Sequence, residues 1–306
     1  MRRMIIDTDT AADDSFAILI GLLHPQAKLE AVTIVAGNVD FDQQIENALI
    51  TIEAAGRGGE VPVFPGARVP LMRPWRGAKA HGDGKGNHDF PKPKQKPEAE
   101  HAANALVRIV NENPGQIDIV AIGPLTNLAT AIALDRDFPS KVRELRIMGG
   151  CDNSVGNITA AAEYNFYVDP EAAEIVLQAG FNTTIVTWTL TLSHALWSKE
   201  QLDRIARKKT KLSEFFTILD TPNLAYNQTK DIMGSTHPDS LNAMLLVRPD
   251  LVKSESRKFV SVETVSEMTR GYSLFDHRPE RNAPNATVIH DVDAEGFYEA
   301  FSELLS

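Results

Sequence analysis

Met4-Ile5-Ile6-Asp7-Thr8-Asp9-Thr10-Ala11-Ala12-Asp13-Asp14 stands at the start of the chain and decides how the rest is read. Its short apolar run reads as a buried strand that empties into four carboxylates within eight residues. A helix pattern follows at once, with Phe16, Ala17, Ile18, Ile20, Leu22 and Leu23 on the apolar face. In an open α/β sheet, ligands bind beyond the carboxyl ends of the strands, and this strand delivers its acids to that edge. Four carboxylates so close repel one another unless something positive sits among them. The helix dipole, or capping by Asp13 or Asp14, explains one or two of them. A hard divalent cation, Ca²⁺ or Mg²⁺, explains the cluster better, since both take carboxylate oxygens, although the spacing does not choose the ion.

The alternation continues outward from this stretch. Residues 29–36 read as a second strand, and the turn at Gly37-Asn38 puts the Asn38 amide at the same edge. A helix over about 42–55 is stopped by Arg57-Gly58-Gly59, and 61–64 is a short third strand. Further on, 98–110 is helical and 117–122 is a strand that turns through Gly123-Pro124-Leu125-Thr126-Asn127 into the helix 128–134. The strand 144–148 is closed by Gly149-Gly150. A helix begins at Asp169-Pro170-Glu171, and a strand at 182–186 leads into Thr187-Trp188-Thr189. The region 198–228 is largely helical, as is 241–247; 259–262, 272–275 and 286–289 read as edge strands, and 294–305 as a closing helix. Strands alternating with helices imply crossover units. The expectation is one domain over 1–306: an α/β fold with a single open, mostly parallel (Rossmann-like) sheet flanked by helices, with long active-site loops.

Two segments break the rhythm. Residues 65–97 are dense in Pro, Gly, Lys and His, the composition of a functional lid or an insert. This loop holds Trp75, which either packs the loop down or stacks on a flat ring. Its glycines at His81-Gly82-Asp83-Gly84-Lys85-Gly86 lack the spacing of a phosphate-binding motif. The second loop, 151–165, carries Asn153, Asn157, Glu163 and Asn165.

Composition narrows the function class. With 306 residues, 43% hydrophobic and 24% charged, the chain is of ordinary globular type. A net charge of −10 argues against nucleic-acid partners. No window approaches a membrane span, and Arg2 and Arg3 precede too short a run for a signal peptide. The lone Cys151 forms no internal disulfide, suits a cytoplasmic location and reads as a small buried residue rather than a nucleophile.

Five motifs in order resemble the nucleoside ribohydrolase family, of the inosine–uridine-preferring type and its relatives. They are the acidic stretch 7–14, Val35-Ala36-Gly37-Asn38, Ile122-Gly123-Pro124-Leu125-Thr126-Asn127, Ile147-Met148-Gly149-Gly150, and Asn157 through Glu163-Tyr164-Asn165-Phe166. The resemblance implies Ca²⁺-dependent hydrolysis of the N-glycosidic bond of a small-molecule nucleoside by a homo-oligomer, a dimer or tetramer. It further implies that Asp9, Asp14, Asp239 and the Ile122 carbonyl hold the metal, and that Asp9 is the general base. It gives Asp13, Asn38, Asn157, Glu163 and Asn165 to the ribose hydroxyls, Met148 to the ribose pocket and Asp7 to a supporting role. In the inosine–uridine branch a histidine directly precedes the acid matching Asp239. Here that position is Pro238, with His237 one residue earlier as the expected leaving-group acid. The stretch Pro74-Trp75-Arg76-Gly77-Ala78-Lys79 is similar to the purine-specific branch and implies a slight purine preference, with Trp75 stacking on the base.

The chemistry fits independently. Cleaving a sugar–base bond develops oxocarbenium-like charge on the ribose. A metal orients water, and carboxylates and amides satisfy the hydroxyls of a polyol. Two other readings use part of the same pattern: an Mg²⁺-dependent aspartyl phosphatase with Asp7 as nucleophile, and a non-catalytic nucleoside- or ribose-binding protein on the same scaffold.

Overall fold

A computed structural model describes residues 1–78, 80–278 and 282–306. The first half contains β1 (Arg2–Thr8), α1 (Ala12–Leu23), β2 (Ala27–Ile34), α2 (Phe41–Ala54), β3 (Val63–Pro65), α3 (Ala102–Glu112), β4 (Ile117–Ala121), α4 (Thr126–Leu134), α5 (Phe138–Lys141) and β5 (Glu144–Met148). It is followed by α6 (Tyr164–Val168), α7 (Pro170–Leu177), β6 (Thr183–Val186), α8 (Trp188–His194), β7 (Leu196–Trp197), α9 (Lys199–Ala206) and α10 (Lys211–Gln228). The last elements are β8 (Ser235–Thr236), α11 (Pro238–Val247), β9 (Val252–Lys258), β10 (Val260–Val262), β11 (Ser273–Phe275), β12 (Ala286–Val292) and α12 (Ala294–Leu304).

The central sheet has eight strands in the order β3-β2-β1-β4-β5-β6-β12-β9, all parallel except β9. Its strands read as unbroken apolar runs because both faces are covered. Met4 and Ile6 of β1 enter the core on the α1/α11 side, while Ile5 enters the opposite core with residues of α3 and α4. The same division separates Val120 from Ile119 and Ala121 on β4. The chain runs from β1 outward to β2 and β3, then returns to β4 on the other side of β1. This reversal is the topological switch point, where open α/β sheets bind their ligands. Pairing of Asp7 with Ala121 and of Thr8 with Ile34 brings the carboxyl ends of β1, β4 and β2 level there.

Several expectations for the second half need correcting. Residues 286–289 are no edge strand: β12 lies inside the sheet, between β6 and β9. The edge on that side, β9 (Val-Lys-Ser-Glu-Ser-Arg-Lys), was invisible as a strand because it is largely exposed and charged, a form that discourages edge-to-edge pairing. The segments at 259–262 and 272–275 leave the central sheet and pair with each other, as antiparallel β10 and β11. After β6 the chain enters α8 directly, with Thr187 Oγ1 accepting the Leu190 N–H at 3.2 Å. The helix expected from residue 98 starts at Ala102, where the His101 side chain caps it. Among the described residues, no helix is long and apolar enough to cross a membrane.

Candidate active site

The turn that leaves β1 is fixed by its own acids. Asp14, in the first turn of α1, accepts from Thr8 Oγ1 at 2.6 Å and from the Ala11 N–H at 3.0 Å. Asp9 Oδ2 accepts the Asn38 N–H at 2.8 Å, and Asn38 Nδ2 reaches Asp14 Oδ2 at 3.3 Å. Gly37 makes that approach possible, because a Cβ there would stand 2.0 Å from Asp9 Oδ2. Asp7 stays inside the sheet, accepting from Thr33 Oγ1 at 2.5 Å and Asn127 Nδ2 at 2.8 Å. It ties β1 to β2 and α4, a supporting position and a poor one for a phosphatase nucleophile.

Asp13 performs the long-range step. Its Oδ2 accepts the Asp239 N–H at 2.6 Å and its Oδ1 accepts Ser240 Oγ at 2.8 Å, so a carboxylate of α1 caps α11. An acid at a helix N-terminus is favourable, and here it draws Asp239 onto a turn 226 residues earlier. On the other side, Asn165 Nδ2 donates to the carbonyls of Ile122 at 3.0 Å and Met148 at 3.1 Å. Glu163 caps α6, accepting the Asn165, Gly150 and Phe166 N–H groups. Asn157 Oδ1 accepts the Tyr164 N–H at 2.8 Å.

Between these walls lies a cavity of about 360 Å³. Asp13, Asn38, Ile122 and Met148 line it together with Asn157, Glu163, Asn165 and Asp239. Asp9 and Asp14 are fully buried off its wall, both hydrogen-bonded to Asn38. Burial raises the carboxyl of Asp9 well above its ordinary range, and the neighbouring Asp14 charge raises it further. Asp239 is raised likewise by burial and then by Asp14, Asp13 and Asp9. Burial lifts Asp14 to about 6 and Glu163 to about 7. Asp9 Oδ1 is buried without a hydrogen-bond partner. Mutually repelling carboxylates, an orphaned carboxylate oxygen and a nearby backbone carbonyl form an all-oxygen donor set suited to a hard cation. Among the described residues, no three acid, histidine or cysteine side chains stand ready-made as a metal cage.

Two expected residues are placed elsewhere. His237 is fully buried and does not line the cavity: its ring stacks on Trp197 at 3.9 Å, with Nδ1 3.4 Å from Asp13 and Nε2 3.7 Å from Asp220. Pro238, at the first position of α11, lines the cavity in its stead. Trp75 is also off the cavity wall, with Nε1 donating to the Gly37 carbonyl at 2.9 Å. The aromatic wall comes instead from Trp188 of α8 and Tyr226 of α10. Asn223, Tyr226, Asn227 and Lys230, at helical spacing, all face the cavity, and that stripe was the legible signal. His81 lines it too, its Nδ1 buried without a partner among the described residues and its imidazole pushed down to about 4 by burial.

Fold and cavity together define a doubly wound α/β protein whose switch-point pocket is walled by carboxylates and amides, groups that suit a polyol. The chain belongs to the inosine-uridine preferring nucleoside hydrolase family, whose model matches residues 4–299. Uridine nucleosidase 1 of Arabidopsis thaliana is 36% identical, over 97% of this chain and 91% of its own. A plant nucleoside hydrolase structure superposes with a TM-score of 0.91 at 32% identity, covering 99% of this chain and 98% of the other. A purine-preferring ribonucleoside hydrolase from Gardnerella vaginalis gives 0.92 at 26% identity, covering 99% and 98%. The protein is therefore an enzyme that hydrolyses nucleosides.

Proposed function

We propose that the protein is a Ca²⁺-dependent ribonucleoside N-ribohydrolase that favours purine nucleosides slightly and releases ribose and free base. The observation that carries this reading is that Asp239, Asn38, Glu163 and Asn165 line one switch-point cavity, with Asp9 and Asp14 buried next to it and both hydrogen-bonded to Asn38. Asp9, Asp14, Asp239 and the Ile122 carbonyl would hold the cation. When bound, Ca²⁺ orients water, lowers its pKa and grips sugar hydroxyls. Asp9 takes the proton from the attacking water at its Oδ1, which has no other partner. Asp13, Asn38, Asn157, Glu163 and Asn165 hold the ribose, with Met148 against the ring; carboxylate acceptors and amide donors suit hydroxyls that lose water.

Trp188, Leu192 and Tyr226 supply flat and apolar surface for the base. That surface supports the purine preference, whereas Trp75 and His237 carry no contact with substrate in this reading. The relatives' names point both ways, to uridine in one and to purines in another. A cytoplasmic homo-oligomer, dimer or tetramer, completes the proposal, and light scattering on the eluted protein tests its assembly. The deciding experiment incubates inosine, adenosine, guanosine, uridine and cytidine separately with protein and Ca²⁺, without phosphate, and separates the products. Ribose plus free base, fastest from a purine nucleoside, is expected; five intact nucleosides would end the reading.

A further inference from the structure

We infer that Asn47 of α2 is a positioning residue that clamps the His81 turn onto the acid turn of the active site, an inference that rests on the ribohydrolase reading. Asn47 is 2% exposed and lies outside the cavity wall. Its side-chain amide spends both hydrogens on two different loops: Nδ2 donates to the Thr10 carbonyl at 3.0 Å and to the Asp83 carbonyl at 3.1 Å. Gln43 Nε2 donates to Asn47 Oδ1 at 2.9 Å, which fixes the orientation of the amide.

Each partner is connected to the site. The Thr10 carbonyl shares its peptide plane with the Ala11 N–H, and that N–H is the one that holds Asp14 Oδ2. Asn47 therefore sets the peptide that sets the acid. The Asp83 carbonyl belongs to the turn closed by the Gly84 N–H to the His81 carbonyl at 2.7 Å, and His81 lines the cavity. Asp83 Oδ1 keeps that turn in shape by accepting the Lys85 and Asn87 N–H groups. Gly84 has φ +76°, and a Cβ there would stand 2.6 Å from Asn47 Nδ2 and 3.1 Å from Ala11 Cα. Only a glycine lets the two turns close on one amide. Releasing the clamp frees the His81 turn on the cavity wall, whereas Asp14 keeps its own bond to Thr8 Oγ1, so the release acts on nucleoside binding more than on turnover.

The test uses inosine with Ca²⁺ and three proteins: Asn47→Leu, Gly84→Ala and the double variant. Either single change should raise KM about tenfold, the loss of roughly one net buried hydrogen bond, while kcat falls less than about threefold. Deuterium uptake over 81–88 should quicken in both, with α1 and β1 unchanged. Because both changes break the bond between Asn47 and the Asp83 carbonyl, the double variant should fall short of the sum of the two single losses. Additive losses, an unchanged KM in Asn47→Leu, or unaltered uptake over 81–88 would overturn the clamp. If the wild type leaves all five nucleosides intact, the ribohydrolase reading fails by itself, and the exchange pattern still decides whether Asn47 holds the turn.

Discussion

In chelator, the folded protein should lose stability as pH rises from about 4 to about 7, and Asp14→Asn should remove part of that loss. Burial holds Asp14 near 6 in the folded chain, against an ordinary value of 3.8. Glu163 and Asp7 stand near 7 for the same reason. An unfolded chain would release these protons near pH 4. Between the two limits the folded state binds more protons, so the stability they provide is complete below pH 4 and lost as pH climbs through the folded values. For Asp14 alone the gap corresponds to about 3 kcal/mol. Contributions from neighbours this close do not add. Half-buried surface pairs such as Asp135 with Lys141 oppose the trend, but weakly. Urea denaturation at pH 5 and pH 7.5, in EDTA and in Ca²⁺, reads the effect directly. The EDTA form should be the less stable at pH 7.5, Ca²⁺ should restore it, and Asp14→Asn in EDTA should show a smaller difference between the two pH values. Equal pH slopes for wild type and Asp14→Asn in EDTA would refute the reasoning, because the acid could not then be ionising against its burial.

Other outcomes follow from the same geometry. Asp9→Asn should lower kcat by about 10²–10⁴, the usual contribution of a general base, with KM changed far less; steady-state kinetics on the best-cleaved nucleoside check this. Gly37→Ala should be nearly as damaging, since its new Cβ would fall 2.0 Å from Asp9 Oδ2 and displace that carboxylate; retained activity would show that Asp9 tolerates movement. Trp188→Ala should raise the KM of a purine nucleoside about tenfold, the worth of one stacking contact, and Trp75→Ala by much less. His237→Ala should behave as a core mutation, lowering stability by about 2 kcal/mol while kcat stays within a few-fold, because the ring packs on Trp197 and Phe216.

How far this was legible in the sequence depended on where each residue obtains its constraint. The acid turn, Gly37-Asn38 and the strand ends at Ile122 and Met148 could be read because doubly covered strands must be apolar and must end in something polar at the ligand edge. The edge strand β9 could not, since an exposed strand carries charges and imitates a loop. Trp188-Thr-Leu-Thr-Leu imitates a strand by its β-branched residues, and only the Thr187 cap turns it into α8. For His237 the sequence offered only the warning of Pro238, whose fixed φ leaves the direction of the preceding histidine open; the aromatic cluster that holds its ring, assembled from α9-flanking, α10 and α12 residues, shows in no local pattern. Trp75 drew attention by its type, whereas its indole is committed to the Gly37 carbonyl. Asn47 offered no local sign at all: an asparagine inside a helix declares its two carbonyl partners only in three dimensions.

The most direct measurement is calorimetric titration of the chelator-stripped protein with Ca²⁺, repeated on Asp239→Asn. One ion per chain in the wild type, with binding lost or weakened at least a hundredfold in Asp239→Asn, is what the gathered acids predict. Absence of binding, or binding indifferent to Asp239, would contradict the account.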